Sequence, residues 1–486
     1  MTRAVVAMVF VGMCVARSAM LVAAPTAYGS KPWLEDLEQT RQAFSTKYAN
    51  LEWAVMEREI NLESLFSDAK DQIQSAASDA DARAAFDRLA RRLGDGHVRF
   101  RWTKEEAVKL ARHANCEALG YDARIRGGDV ATLMPGYTPL LGAPAKEFAA
   151  GTLQIAGRRV GVIEIGIFTP EGMPELCADA LAALKLPPES SCDEACKDRV
   201  DTWVSNRMTL DLAAQLRAVE NAKAEVLLID IANNGGGTQW SEAAVRMVSG
   251  IRLKSERVGF VRGPHWAKHF ADTVADLRAD AKRASPSERK MLNGLAETVL
   301  GYQHEAESPC DSGTLWQGKE PSCRWLGEGF YSSGVLDSAD PNALKGKSWA
   351  EDVFTPMEFP YEEGVWRGPL IVLVNARTGS AAEQFAAILQ DNHAAVIMGA
   401  PTGGAGCGHT NGGTPTMLTN SGAILELPDC ARIRADGSNE VMGIQPDVLV
   451  GLRTMDGPHR QGIRAAEKLP EAVERALKLA AAPAGN

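Results

Sequence analysis

Long apolar runs are nearly absent from this chain. The one that exists, Ala4 to Ala16 behind Arg3, is shorter than the roughly 20 residues a helix needs to cross a bilayer. It reads instead as a signal peptide over residues 1–27, with small residues from Ala16 to Ala27 offering cleavage positions. An uncleaved anchor extended through Ser18 to Ala24 is the alternative, and membrane association is expected only in that case. Basic charge is also short, with 52 Lys and Arg against 62 Asp and Glu and a formal net charge of −10. A surface that tracks phosphates is therefore excluded, and nucleic acid is not an expected partner. No CxxC is present, which removes the usual zinc ribbons. HWAKH holds His265 and His269 one helical turn apart but lacks the glutamate of HExxH, so a solvated or core pair is the favoured reading. No lysine follows the glycine turn Asn233 to Gly237 to make a GK[ST] loop, and no GxGxxG spacing is present, so a phosphate-binding reading of that turn is weak. There is no internal repeat of fixed period and no low-complexity tract.

What the chain does hold is cysteine. Nine are present, and setting aside Cys14 in the apolar run leaves an even set in a protein expected to be secreted or periplasmic, hence a disulfide framework. Cys407 and Cys430 flank a hairpin-like segment that turns near Asn420 to Gly422, and are the favoured pair. Cys310 and Cys323 bracket a short polar loop. Cys116, Cys177, Cys192 and Cys196 are left to pair among themselves in an order the spacing does not decide.

At 486 residues the chain exceeds one ordinary domain. Helical periodicity from 33 to 92, with Asp79 or Asp81 as caps and a stop at Gly94, predicts an N-terminal helical domain over 33–100. RRVGVIEIGIF reads as a strand pair or one long strand. AEVLLIDI and GPLIVLVN are buried strands, each leading into a turn and a helix, the sign of a parallel α/β sheet. These place a core at 158–254 and 366–480, closed by a C-terminal helix. Residues 255–365 are too long for a loop and are expected to form an insertion or cap.

Two turns carry the chemistry. PLIVLVN delivers Ala376 to Gly379 and then Ser380 at the first turn of a helix, where unpaired N–H groups favour developing negative charge. Ser380 alone is better read as a helix N-cap. The other turn, Asn233 to Gly237, sets three glycines between a strand and a helix, where main-chain N–H groups can approach a ligand closely. It suits an oxyanion hole or a plain tight turn.

Taken with LGDGHVRF (93–100), LLIDIANNGGG and GPLIVLVNARTGSAAEQFAAILQDNHAAVIMGAPTGGAG, the chain resembles the C-terminal processing (tail-specific) peptidases and their relatives with a tricorn-protease-like core, over most of residues 36–450. The resemblance implies an α/β (α+β) fold with a ClpP/crotonase-like core, and a serine-type peptidase acting on peptides or proteins. It places Ser380 on the catalytic serine and Glu383 and Asp391 on familiar helix positions. The lysine branch of that family carries its base where this chain has Ala405, so the resemblance implies the Ser/His branch with His97 as general base. Glu440, in SNEVMGIQPDV, is the expected third catalytic residue, although Gly96 stands where tricorn-like members carry a relay serine; Asp95 is the substitute. His409 is a rival base. The implied oxyanion donors are backbone N–H groups of Gly235, Gly236 and Ala381. No metal or organic cofactor is required. A PDZ domain would have only residues 101–157, so it is absent or reduced, and the segment is otherwise a linker. An esterase or amidase on the same site, and a non-catalytic ligand-binding relative, are the alternatives.

Overall fold

The computed structural model describes residues 28–102, 112–142, 147–188, 190–409, 416–451, 453 and 455–482. The expected signal peptide, 1–27, lies outside the described residues, as do parts of the 101–157 stretch. Among the described residues no helix is long and apolar enough to cross a membrane.

A seven-stranded sheet forms the centre. Its five parallel strands run, in spatial order, Val448–Leu449, Val396–Gly399, Leu370–Val374, Val226–Asp230 and Arg158–Glu164. The strand Ala150–Ile155 adds antiparallel, with Thr138–Pro139 beyond it at the edge. Both faces of the parallel strands are covered, which is why they read as unbroken apolar runs rather than as alternation. Leu227 and Ile229 pack with the helices Glu194–Asn221, Trp240–Met247 and Ala381–Asp391. Val226 and Leu228 face the opposite way, onto the C-terminal helix Pro458–Ala481.

RRVGVIEIGIF contributes a single strand. Its partner is the preceding Ala150–Ile155, so the segment expected to be a reduced PDZ or linker supplies two strands to the core sheet, and the boundary drawn at 157/158 falls inside a hairpin.

The N-terminal unit is four helices, Ser30–Lys47, Leu51–Met56, Leu62–Ser75 and Asp79–Leu93, around an aromatic core of Phe44, Phe66 and Phe86 that Trp316 and Trp325 also join. Ser78, one residue before the expected caps, accepts from the Asp81 N–H, and Gly94 ends the last helix at φ 71°. The strand Arg99–Arg101 then pairs with Ile424–Glu426 of the C-terminal hairpin. His97 is thereby held between a helix end and a strand.

Residues 255–365 form a third packed unit. The helices Pro264–Arg283 and Pro286–Ala306 lie against the strands Arg257–Val261 and Leu326–Tyr331, and Arg257–Val261 also pairs with Cys430–Ile433. Among the described residues there are four disulfides, Cys116–Cys177, Cys192–Cys196, Cys310–Cys323 and Cys407–Cys430. The last is the favoured pair, and the first two resolve the four left open.

Candidate active site

The strands Val226–Asp230 and Leu370–Val374 are neighbours, so their two turns emerge side by side at the carboxyl edge of the sheet, where open α/β sheets bind ligands. Side chains latch one turn to the other. Asn375 accepts from the Asn233 N–H at 3.0 Å and donates to the Asn233 side chain at 2.9 Å, and the Gly379 N–H donates to the Asn234 carbonyl at 3.0 Å. Thr378 donates its hydroxyl to the Ile231 carbonyl. A Cβ on Gly236 would lie 2.7 Å from the Ser380 Cβ, so only glycine lets the turns meet.

Ser380 sits at φ 55°, ψ −122°, a conformation costly for a residue with a side chain. It is held there through Glu383, which is fully buried and accepts from the Ser380 N–H at 2.9 Å. The same carboxylate accepts from the Thr402 hydroxyl at 2.5 Å and from the N–H groups of Gly404, Ala405 and Gly406 at 2.7, 2.9 and 3.3 Å. Burial, with Glu440 nearby, raises its pKa above the ordinary carboxylate range. Glu383→Ala would orphan five donors, three of them buried, at about 1–3 kcal/mol for each buried one before relaxation. Denaturant unfolding is therefore expected to show a loss of about 3–5 kcal/mol; a loss under about 1 kcal/mol would mean that the loop is held by something else.

His97 reaches the same place from the N-terminal unit. His97, Ser380, Ala381 and His409 line one cavity of about 790 Å³, together with Phe330 and Phe359. The His97 Nδ1 lies 2.7 Å from the Ala405 carbonyl oxygen. A carbonyl only accepts, so Nδ1 carries the proton and Nε2 is the basic nitrogen. Burial pushes the His97 pKa down to about 4, against the pull of the Ala405 carbonyl and with help from the nearby charges of Arg432 and His409. The imidazole is neutral at pH 7.

Two expected partners of His97 stand elsewhere. Glu440 is buried, and both its oxygens accept from Arg432, each at 2.5 Å, so the expected carboxylate–imidazole contact is replaced by the Ala405 carbonyl. Asp95, the substitute, accepts from the His97 backbone N–H at 2.9 Å and from Tyr48 and Asn50; it shapes the loop without touching the ring. Of the oxyanion candidates Gly235, Gly236 and Ala381, Gly236 donates its N–H to the Asn234 side chain at 2.9 Å and Ala381 lines the cavity, while the glycine of the turn that lines it is Gly237, which is not among them. Of the HWAKH pair, His265 lies 3.5 Å from Asp429 and His269 packs edge-on to Trp266.

Arg432 escapes a reading of the sequence. Besides Glu440, its buried guanidinium donates to the carbonyls of Ser380 and Gly406, both at 2.9 Å. Its one visible signal is an arginine inside the otherwise apolar strand CARI, which is seldom tolerated without a buried partner.

The profile of Peptidase family S41 matches residues 199–450. Among solved structures the chain is similar to mature CPAF, with 13% identity and a TM-score of 0.58, covering 92% of this chain and 98% of that one. It is equally similar to mature CPAF complexed with lactacystin, at 14% identity, a TM-score of 0.59 and coverage of 92% and 99%. The photosystem II D1 C-terminal processing protease aligns at 14% identity and a TM-score of 0.34, with 93% and 98% covered. No curated protein matches in sequence. At these identities the CPAF likeness is one of fold, and it extends over the whole of that chain.

Proposed function

The chain belongs to Peptidase family S41 and is a serine peptidase hydrolase, and from that premise we propose that it cleaves peptide bonds through an acyl-enzyme on Ser380, with His97 as general base. The observation that carries this reading is the bond between the His97 Nδ1 and the Ala405 carbonyl, which leaves a basic Nε2 in the cavity that also holds Ser380. His97 takes the Ser380 proton as Oγ attacks the scissile carbonyl, then gives it to the departing amine. The carbonyl oxygen, now an anion, is stabilised by the Ala381 N–H at the helix start, with the glycine turn beside it. Water, deprotonated by the same imidazole, releases the acyl group and restores Ser380. The backbone carbonyl of Ala405 does the orienting that a carboxylate does in the usual triad.

The reading includes export. Four disulfides fit an extracellular or periplasmic protein, and the apolar segment behind Arg3 is the address such a protein would carry.

Labelling with a fluorophosphonate and peptide mapping of the product tests the nucleophile: a single adduct is expected, on Ser380. The pH dependence tests the base. A histidine with its pKa near 4 loses its proton as pH rises through that value, so kcat/KM should climb through a midpoint at about pH 4 and be level by neutrality. An acid limb at about 6.5 or above, the ordinary histidine value, or an adduct on another residue, would sink the assignment.

A further inference from the structure

We propose that Arg432 is a positioning residue for the oxyanion hole, fixing and polarising the peptide unit between Ser380 and Ala381. The proposal rests on the reading of Ser380 as nucleophile and His97 as base. One planar, conjugated unit contains the Ser380 carbonyl and the Ala381 N–H. Arg432 donates to the carbonyl end at 2.9 Å, alongside the helical bond from the Gln384 N–H at 3.1 Å. The other end of the same unit is the donor aimed at the developing oxyanion. A charged donor on the oxygen withdraws electron density through the amide and makes its N–H a stronger donor, an effect of about 10–30% per bond in linked chains.

Its place in the fold suits the task. Glu383 accepts from the N–H of Ser380 while Arg432 donates to its carbonyl, so buried groups of opposite sign grip both sides of a residue at φ 55°. Arg432 also ties in the Gly406 carbonyl, next to the residue whose carbonyl orients His97. The Cys407–Cys430 disulfide joins that loop to the strand that bears Arg432. Glu440 holds the guanidinium in a two-point grip, with Glu256 of the insertion 3.6 Å from its Nε. In this arrangement Glu440 serves the nucleophile turn through Arg432 rather than serving the imidazole.

The test uses the full chain, a peptide substrate and a fluorophosphonate, with active sites titrated so that rates refer to folded molecules. For Arg432→Met we expect kcat to fall about 10²-fold, as for the loss of an oxyanion donor, with KM within about 3-fold. The fluorophosphonate reacts through the same hole, so its labelling rate should fall in parallel. The acid limb of kcat/KM should also move up from about pH 4, because Arg432 is one of the charges holding the His97 pKa down. A purely structural residue would lower the yield of folded protein and leave that midpoint in place. Arg432→Lys, which keeps the charge but not the fork, should be intermediate in kcat with a smaller shift. If Arg432→Met does not fold, Arg432→Met with Glu440→Met removes both charges, a change buried pairs commonly tolerate, and should show the same kcat loss with a smaller limb shift, because the two charges act on His97 with opposite sign. Arg434→Met, which breaks a pair with Asp391 two residues along, should leave the midpoint alone. A folded Arg432→Met, or the double variant, with wild-type kcat and an unmoved limb overturns the proposal. Should His97→Ala keep the wild-type acid limb, the reading beneath it falls instead.

Discussion

Replacing Ser380 by alanine is expected to lower kcat by about 10⁶-fold while costing about 1 kcal/mol of stability. The two numbers must be read together because Ser380 heads the helix Ala381–Asp391 and has two possible uses there. A helix cap contributes about 1 kcal/mol and nothing to turnover. A nucleophile carries the whole covalent route, and its loss leaves only the help of oxyanion stabilisation and substrate binding, about 10³- to 10⁴-fold over water. Ser380→Ala should keep its fold, since Glu383 still grips the backbone N–H at this position and alanine retains the Cβ against which Gly236 packs. KM should stay close to that of the wild type, because the walls of the cavity are untouched. Fluorophosphonate labelling should vanish. A variant that still labels, or one that loses stability and activity in proportion, would return Ser380 to the status of a cap.

Much of this site is legible in the sequence because its key parts sit at strand ends. A buried strand in a parallel sheet is a continuous apolar run, and the chain beyond it must turn at the sheet's edge. Leu370–Val374 leading to Ser380 and Val226–Asp230 leading to the glycines therefore announce their positions in one dimension. Cys407 and Cys430 can be paired because a hairpin with its turn at Asn420 to Gly422 lies between them, and the strands Thr416–Met417 and Ile424–Glu426 do pair about that turn.

The hidden parts depend on contacts distant in sequence or carried by the backbone. Local pattern does not say that Arg432 will meet Ser380, 52 positions earlier, because that meeting requires the strand Cys430–Ile433 to pair with the insertion. The group that orients His97 is a main-chain carbonyl, which every residue has and no motif can mark. Glu440 matches a third catalytic place through its motif, yet its carboxylate is taken by the arginine eight residues before it. The stretch 101–157 is misleading for a simpler reason. Its strand Thr138–Pro139 is two residues long and exposed, with no alternation to read, so a sheet-edge hairpin is indistinguishable from a diminished domain.

Two histidines share the cavity, and the second large effect expected is the difference between them. His97→Ala should cost about 10⁶-fold in kcat, comparable to losing Ser380, since nucleophile and base act as a unit. His409→Ala should cost less than about 10-fold, far below the loss of a residue in that unit. Both rings have pKa values lowered by burial, so neutrality does not separate them. Tautomer does. His97 has its Nδ1 proton fixed by the Ala405 carbonyl, whereas the buried Nε2 of His409 has no hydrogen-bond partner among the described residues. A base that must present one particular nitrogen to a hydroxyl gains from having the other nitrogen's proton committed beforehand, because no rotation or exchange is then needed during attack. The rings stand edge to face with centroids 6.2 Å apart, and the charge His409 can acquire is among the influences that depress His97. His409→Ala should therefore raise the acid limb of kcat/KM slightly while sparing the plateau. The double variant should be no worse than His97→Ala alone, because once the proton acceptor is gone the second ring has nothing left to modulate. If His409→Ala were instead the variant that abolished turnover, the base would belong to the Cys407 loop and the Ala405–His97 bond would be a structural tie.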